Sequence, residues 1–320
     1  MGCTRQIAYN EWLDLLEVLI SYMCSSPARD FWGYGPHSPN PQWPNNARVA
    51  VSFVLNLEEG AELTLSAGDE RNESVYEVIS ETQGVPNLAM ESHFEYGSRI
   101  GFWRVLDLFD RYGIKATMNV CGRAVETSPW MALEPVKRGH ELCCHGYRWE
   151  PLVYMKEPQE RENIRRTVRA IEQASGVSPV GWQTKASSTP NTRRLLLEHG
   201  GFLYDSDAYN DELPYFVEVS GKPHLVLPYS FDTNDMRFTN TETFRLAQDF
   251  STYLIDSFNW LYQEGENSPR MMTVGLHTRI IGRPGRIWAL QQFLEHIQAH
   301  ERVWIARRDQ IARHWYEMFG

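Results

Sequence analysis

Short apolar runs alternate with helical patterns along almost the whole chain, and most of the helical patterns end on glycine. Residues 47–57 read ARVAVSFVLNL, a strand rich in β-branched side chains. Residues 97–112 then place Ile100, Trp103, Leu106, Phe109 and Tyr112 at helical spacing, with Gly113 where a C-terminal cap belongs. The same reading predicts further strands at 114–120, 140–145, 179–184, 201–204, 224–229, 271–277 and 303–306. Helices are predicted at 128–139, 158–175, 191–199, 243–264, 286–300 and 309–318. Strands that are apolar throughout, each followed by a helix, belong to a parallel sheet covered by helices. Seven or eight such repeats favour a single distorted (β/α) barrel over a doubly wound sheet. No G-x-G-x-x-G follows the first strand and no G-K-[ST] occurs, so the nucleotide-binding versions of such sheets lack their motifs.

Composition narrows the function classes. The 320 residues are 42% hydrophobic, enough for a large core, and carry a formal net charge of -10. An acidic chain without basic motifs is a poor ligand for nucleic acid or an anionic membrane, so neither is expected as a partner. Residues 13–23 are apolar, but Glu11 precedes the segment and Asp14 and Glu17 interrupt it. It reads as a short amphipathic helix or an extension rather than a secretory signal, and no apolar run is long enough to span a membrane. The expected location is therefore cytoplasmic. Cys3, Cys24, Cys121, Cys143 and Cys144 include no C-x-x-C pair and read as reduced thiols. Residues 27–46, rich in Pro, Asn and Gly, lack periodicity. The expected organisation is an N-terminal extension and arm over 1–46 and a barrel over 47–320. The arm would suit contacts in a homo-oligomer.

Polar residues gather where the strands end. The first strand runs into Glu58 and Glu59, and the strand at 140 ends on His145. The strand at 179 leads to Gln183, Thr184 and Lys185, and the strand at 201 to Asp205 and Asp207. Asp232, Asn234 and Asp235 follow the strand at 224, and His277 and Arg279 close the strand at 271. In a parallel barrel these C-terminal ends share one face, so residues far apart in sequence converge there. A carboxylate pair facing two histidines suits general acid–base chemistry. Asp205 and Asp207 serve equally well as loop caps, and the 232–235 cluster equally well as an Asx turn.

These residues resemble the motifs of the polysaccharide deacetylase (NodB-homology) superfamily over roughly residues 30–318. The family's Asp-Asp pair after strand one corresponds to Leu57-Glu58-Glu59-Gly60. Its His-Ser/Thr followed by a second His corresponds to His145-Gly146-Tyr147-Arg148-Trp149, and its late Leu-x-His motif to Leu276-His277. The resemblance implies a distorted barrel with Glu58 as base, Glu59 as metal carboxylate, His145 as first metal histidine and His277 as acid. Trp149 stands for the second metal histidine, and an indole offers an N–H donor but no lone pair for a cation.

One branch, the cofactor-independent allantoinases, shares that departure. The similarity there covers Asp30-Phe31-Trp32-Gly33-Tyr34-Gly35, Pro41-Gln42-Trp43-Pro44, Glu91 to Arg99, Pro190 to Arg194, Tyr204 to Tyr209, Asp232 to Phe238 and Gly282 to Arg286. The loop Thr184-Lys185-Ala186-Ser187-Ser188-Thr189 departs from it, where that branch carries an Arg beside glycines. Lys185 replaces the charge but not the planar donor fork.

The resemblance implies a hydrolase of a non-peptide C–N bond. Its leading form opens the hydantoin ring of allantoin without a cofactor, with Glu58 or Glu59 as base and His277 as acid. His145, Arg148, Trp149, Lys185, Asp205 and Asp235 would then bind a small-molecule substrate. The chain is also similar to fungal (fission yeast) proteins named chitin deacetylase. That alternative removes acetyl groups from N-acetylglucosamine with a divalent metal, zinc or cobalt, on Glu59 and His145. A silent barrel that binds a ligand is the third reading.

Overall fold

The computed structural model describes residues 29–75, 82–239 and 244–320. The segment 13–23, Cys3 and Cys24 lie outside them. The chain divides into two compact units, Met1–Pro39 and Asn40–Gly320. In the first, the described residues form a turn in which Asp30 Oδ1 accepts the Trp32 N–H at 2.8 Å. The second carries the sheet.

Its strands are β1 Val49–Leu57, β2 Thr117–Val120, β3 Glu141–Cys144, β4 Gly181–Trp182, β5 Tyr204–Asp205, β6 Tyr215–Val219, β7 Lys222–Val226, β8 Arg270–His277 and β9 Val303–Ile305. The helices are α1 Leu88–Tyr96, α2 Phe102–Arg111, α3 Gly122–Thr127, α4 Trp130–Lys137, α5 Glu157–Ser175, α6 Thr192–His199, α7 Ala247–Glu264, α8 Thr278–Ile281, α9 Pro284–Gln298 and α10 Arg308–Phe319. Spatially the strands run β6-β7-β5-β4-β3-β2-β1-β8, with β9 also paired to β1. Every ladder is parallel except β6–β7.

That hairpin is the strand the sequence reading missed. Ser220 and Gly221 turn it with φ 53° and 75°, the positive pair that a tight two-residue hairpin demands. Among the described residues no ladder joins β7 to β8, where a single bridge from Asn234 to Gly275 stands instead. The barrel is therefore a curled, mostly parallel sheet that stops short of a full ring.

The period of two sorts β1 cleanly. Val49, Val51, Phe53, Leu55 and Leu57 join the core under the helices, where Phe53 meets Phe109 of α2 at 5.8 Å. Ser52 and Asn56 therefore face the inside of the curl. By the same rule Thr117 and Asn119, Glu141 and Cys143, and Thr273, Gly275 and His277 line the inside, because their neighbours belong to the core. Cys121, Cys143 and Cys144 are free and buried, and burial pushes all three thiols up, which keeps them protonated and unreactive.

The helix predicted at 97–112 begins earlier and changes pitch. Asn87 caps α1 by accepting the Met90 N–H at 3.1 Å. A π turn, Gly97–Gly101, then leads into α2. Its glycines permit close approach. A Cβ on Gly97 would overlap the Glu59 carboxylate, and one on Gly101 would overlap the Thr278 carbonyl. Gly282, across that contact, is equally confined by the Thr278 carbonyl and the Gly101 backbone. A π turn beside a polar cluster often marks a functional position.

Candidate active site

Glu58 and Glu59 leave the end of β1 with 1% and 4% of their surface exposed. Glu58 sits at the centre. Its Oε2 accepts from Arg279 Nη1 at 2.5 Å, and its Oε1 lies 3.4 Å from His145 Nε2 and 3.5 Å from His277 Nε2. Burial alone would raise the Glu58 carboxyl. The charges of Arg279 and His277, with the imidazole contacts, outweigh it and hold the group well below its ordinary value. Glu59 behaves differently. Burial raises its carboxyl despite Arg279 and a hydrogen bond from the Thr278 hydroxyl, and the Glu58 charge adds to the rise. Its Oε2 accepts the Glu58 N–H at 3.1 Å.

The two histidines are oriented by opposite means. His145 Nδ1 meets the Gln183 carbonyl at 2.9 Å, so it donates there, and Nε2 carries a proton only in the imidazolium form. The 3.4 Å gap to Glu58 is thus a place for one shared proton, which suits a base acting on water. His277 Nδ1 donates to Asp235 Oδ1 at 2.6 Å, and Asp235 Oδ2 accepts the His277 and Ile281 N–H groups at 2.8 and 3.1 Å. Burial would lower the His277 pKa. Glu58 and Asp235 reverse that and lift it to about 10, so the ring is charged near neutrality and presents an Nε2 proton. A carboxylate held ionised beside an imidazolium is an acid–base pair of opposite function.

The other sequence-predicted residues take distinct places. Arg148 clamps the 61–69 loop. Nη1 and Nη2 donate to Asp69 at 2.5 and 2.6 Å, and Nη2 also reaches the Glu62 carbonyl at 2.7 Å. Its guanidinium thus faces loop partners rather than the space between the histidines. Asp235, expected to touch substrate, serves His277. Asp205 belongs to a separate cluster with Arg193 Nε and His224 Nε2, each at 2.8 Å. Asp207 beside it accepts the Thr184 N–H and hydroxyl, both at 2.6 Å, and so fastens the 184–189 loop. Trp149 is buried, and Lys185 Nζ lies 3.4 Å from its ring centroid. Arg279 and Thr278 were not singled out by sequence as partners of the carboxylates. Their signal, a polar stretch directly after β8, was visible, but the helical turn that swings them onto Glu58 and Glu59 was not.

With this geometry, likeness to known proteins becomes informative. Residues 87–204 match the family described as Polysaccharide deacetylase. A Schizosaccharomyces pombe protein provisionally named a polysaccharide deacetylase is 40% identical over 301 residues, covering 88% of this chain and 93% of that one. The chain belongs to the polysaccharide deacetylase family. Among solved structures, Puue allantoinase superposes with a TM-score of 0.88 at 47% identity, covering 92% of this chain and 99% of that one. A Pseudomonas aeruginosa PAO1 protein provisionally named a polysaccharide deacetylase gives the same figures. The family's chemistry is hydrolysis of C–N bonds other than peptide bonds.

A metal held on Glu59 and His145 would meet donors that are already in use. Zinc takes three protein ligands plus water. Glu59 is engaged by Thr278 and the Glu58 N–H, Glu58 by Arg279, and Trp149 has no lone pair to give. Among the described residues no group of three or more His, Cys, Asp or Glu side chains is placed to hold a metal ion. Zinc or cobalt on Glu59 and His145 would have two ligands and a guanidinium as neighbour.

Proposed function

We propose that this chain opens the hydantoin ring of allantoin to allantoate, and does so without a metal. The observation that carries the reading is Arg279 on Glu58, with Trp149 in the place of the second histidine. A fixed protein cation then occupies the electrostatic role of a dication. The 47% identity to Puue allantoinase over nearly the whole of both chains supports the substrate.

In this mechanism water attacks the ring carbonyl carbon, and its proton passes to the Glu58–His145 pair. Arg279 offsets the negative charge that builds on the carbonyl oxygen, as preorganised donors do. The C–N bond then breaks, and His277 Nε2 delivers its proton to the leaving nitrogen. Asp235 keeps the imidazolium charged and in line. The acid formed returns a proton to His277, and the proton held by the Glu58–His145 pair leaves to solvent, so one water gives a carboxylate, a ureido group and one proton, and atoms and charge balance.

Deacetylation of N-acetylglucosamine requires the same proton transfers, and the names of the yeast and Pseudomonas relatives favour it. One comparison separates the two. Purified protein is assayed on allantoin and on chitin oligomers, with and without EDTA, alongside elemental analysis. Allantoate formed at an unchanged rate in EDTA is the expected result. Acetate released from chitin oligomers and lost on chelation overturns the reading.

A further inference from the structure

Three sequence singularities, Trp149, Lys185 and the departed 184–189 loop, meet at one point that the mechanism above does not use. Lys185 Nζ donates to the Trp149 carbonyl at 3.0 Å, lies 3.5 Å from Glu73 Oε1 and stands over the Trp149 ring at 3.4 Å. Arg279 stands over the same ring, its Cζ at 4.9 Å from the centroid, and over Phe94 at 4.6 Å. Phe94 in turn meets Trp149 edge to face at 5.8 Å. One indole thus carries two cations, Arg279 buried and Lys185 half-buried, each with its own carboxylate: Glu73 for Lys185 and Glu58 for Arg279. The loop that delivers Lys185 is strained and anchored. Ala186 holds φ 60°, a left-handed conformation that a non-glycine residue seldom adopts. Thr184 is tied down by Asp207 on one side and by Trp182 Nε1 at 2.9 Å on the other. Strain kept next to a site indicates a position fixed for use.

The geometry points to Lys185 and Trp149 as positioning residues for this hydrolysis: Lys185, held by Glu73, fixes the indole, and the indole fixes Arg279 against Glu58. The 184–189 loop then acts on the base through an aromatic ring and does not touch substrate. A desolvated cation over an indole is a strong enough contact to hold a long side chain in one rotamer. Two like charges sharing one ring each lean on a separate carboxylate, so loosening either pair lets the ring tilt and the other cation drift. This rests on Glu58 being the base, and not on allantoin being the substrate.

The test is a double-mutant cycle between Lys185→Met and Trp149→Leu, with Lys185→Arg as the conservative variant. It is run on whichever amide the native protein hydrolyses, so the choice of substrate stands or falls separately. Lys185→Met is expected to lower kcat about tenfold with KM within about twofold, while Lys185→Arg recovers most of the loss. The double variant is expected to lose no more kcat than Trp149→Leu alone. In urea unfolding, which needs no substrate, the same cycle is expected to depart from additivity by about tenfold in the unfolding constant. A rise in KM at unchanged kcat places Lys185 on the substrate and overturns the proposal. So do additive losses in the cycle, or a Lys185→Met protein with native kcat.

Discussion

The two ends of the curled sheet are both lined with buried polar side chains, yet one end is saturated and the other is not. At the end away from the site, Arg308 donates to the Ser206 hydroxyl at 3.1 Å, the Thr273 hydroxyl at 3.0 Å and the Pro228 carbonyl at 3.0 Å. Glu141 accepts from the Thr117 and Tyr204 hydroxyls at 2.6 and 2.8 Å and from the Asp309 N–H at 2.9 Å. Among the described residues the Ser52 hydroxyl is the exception in that layer, with no partner. At the site, Glu58 Oε1 stands 3.4 and 3.5 Å from two imidazole nitrogens, longer than a good hydrogen bond. Burial of polar groups thus serves two ends. Where every partner is at contact distance the network cements the fold, and where partners stand slightly apart there is room for a reacting atom.

The contrast can be broken at several points. Glu58→Gln is expected to lower kcat of the folded fraction about 10³-fold, because it removes the proton acceptor, and to lower the melting temperature, because buried Arg279 and His277 lose their carboxylate. A stopped assay with a melting curve checks it, and native-like turnover refutes the assignment. At the saturated end, Arg308→Met is expected to cost about 3 kcal/mol in urea unfolding by leaving several acceptors bare, with kcat of the folded fraction unchanged. Asp235→Asn is expected to lower kcat about 10²-fold and to shift the alkaline limb of kcat/KM to lower pH. His277 is lifted from 6.5 to about 10, so its proton binding favours the folded state. That contribution is complete below pH 6.5 and is lost as pH rises toward 10. In Asp235→Asn the decline in stability over this window becomes shallower, which unfolding at a series of pH values reads directly. Smallest of all, Thr278→Val removes one donor from Glu59, and a loss of about fivefold in kcat is expected.

What the sequence disclosed follows the apolar runs. Glu58, His145 and His277 fall on one face because each closes or follows such a run, and parallel strands share a direction. Contacts between loops carry no such signal. Asp235 reaches His277 across 42 residues, and Asp69 reaches Arg148 across 79. Neither pairing leaves a mark in spacing, so Asp235 and Arg148 both looked like candidates for substrate. Arg279 was visible at a strand end, but the turn of α8 that carries it back to Glu58 depends on packing against Gly101. The β6–β7 hairpin was hidden for another reason. Its outer strand, Tyr215–Val219, is half exposed although four of its five residues are apolar, and Ser-Gly is a weaker turn mark than Asn-Gly.

The glycine contact between the π turn and α8 has a consequence for how such a site can change over evolutionary time. Gly101 and Gly282 bring backbone against backbone around Thr278, and Gly97 leaves room for the Glu59 carboxylate, so no side chain mediates the spacing. A joint of that kind cannot be tuned by ordinary substitution: it is either kept or lost. The spacing between the carboxylate pair and α8 is thereby set by backbone alone, and it is inherited as one unit together with the proton-transfer groups it holds apart.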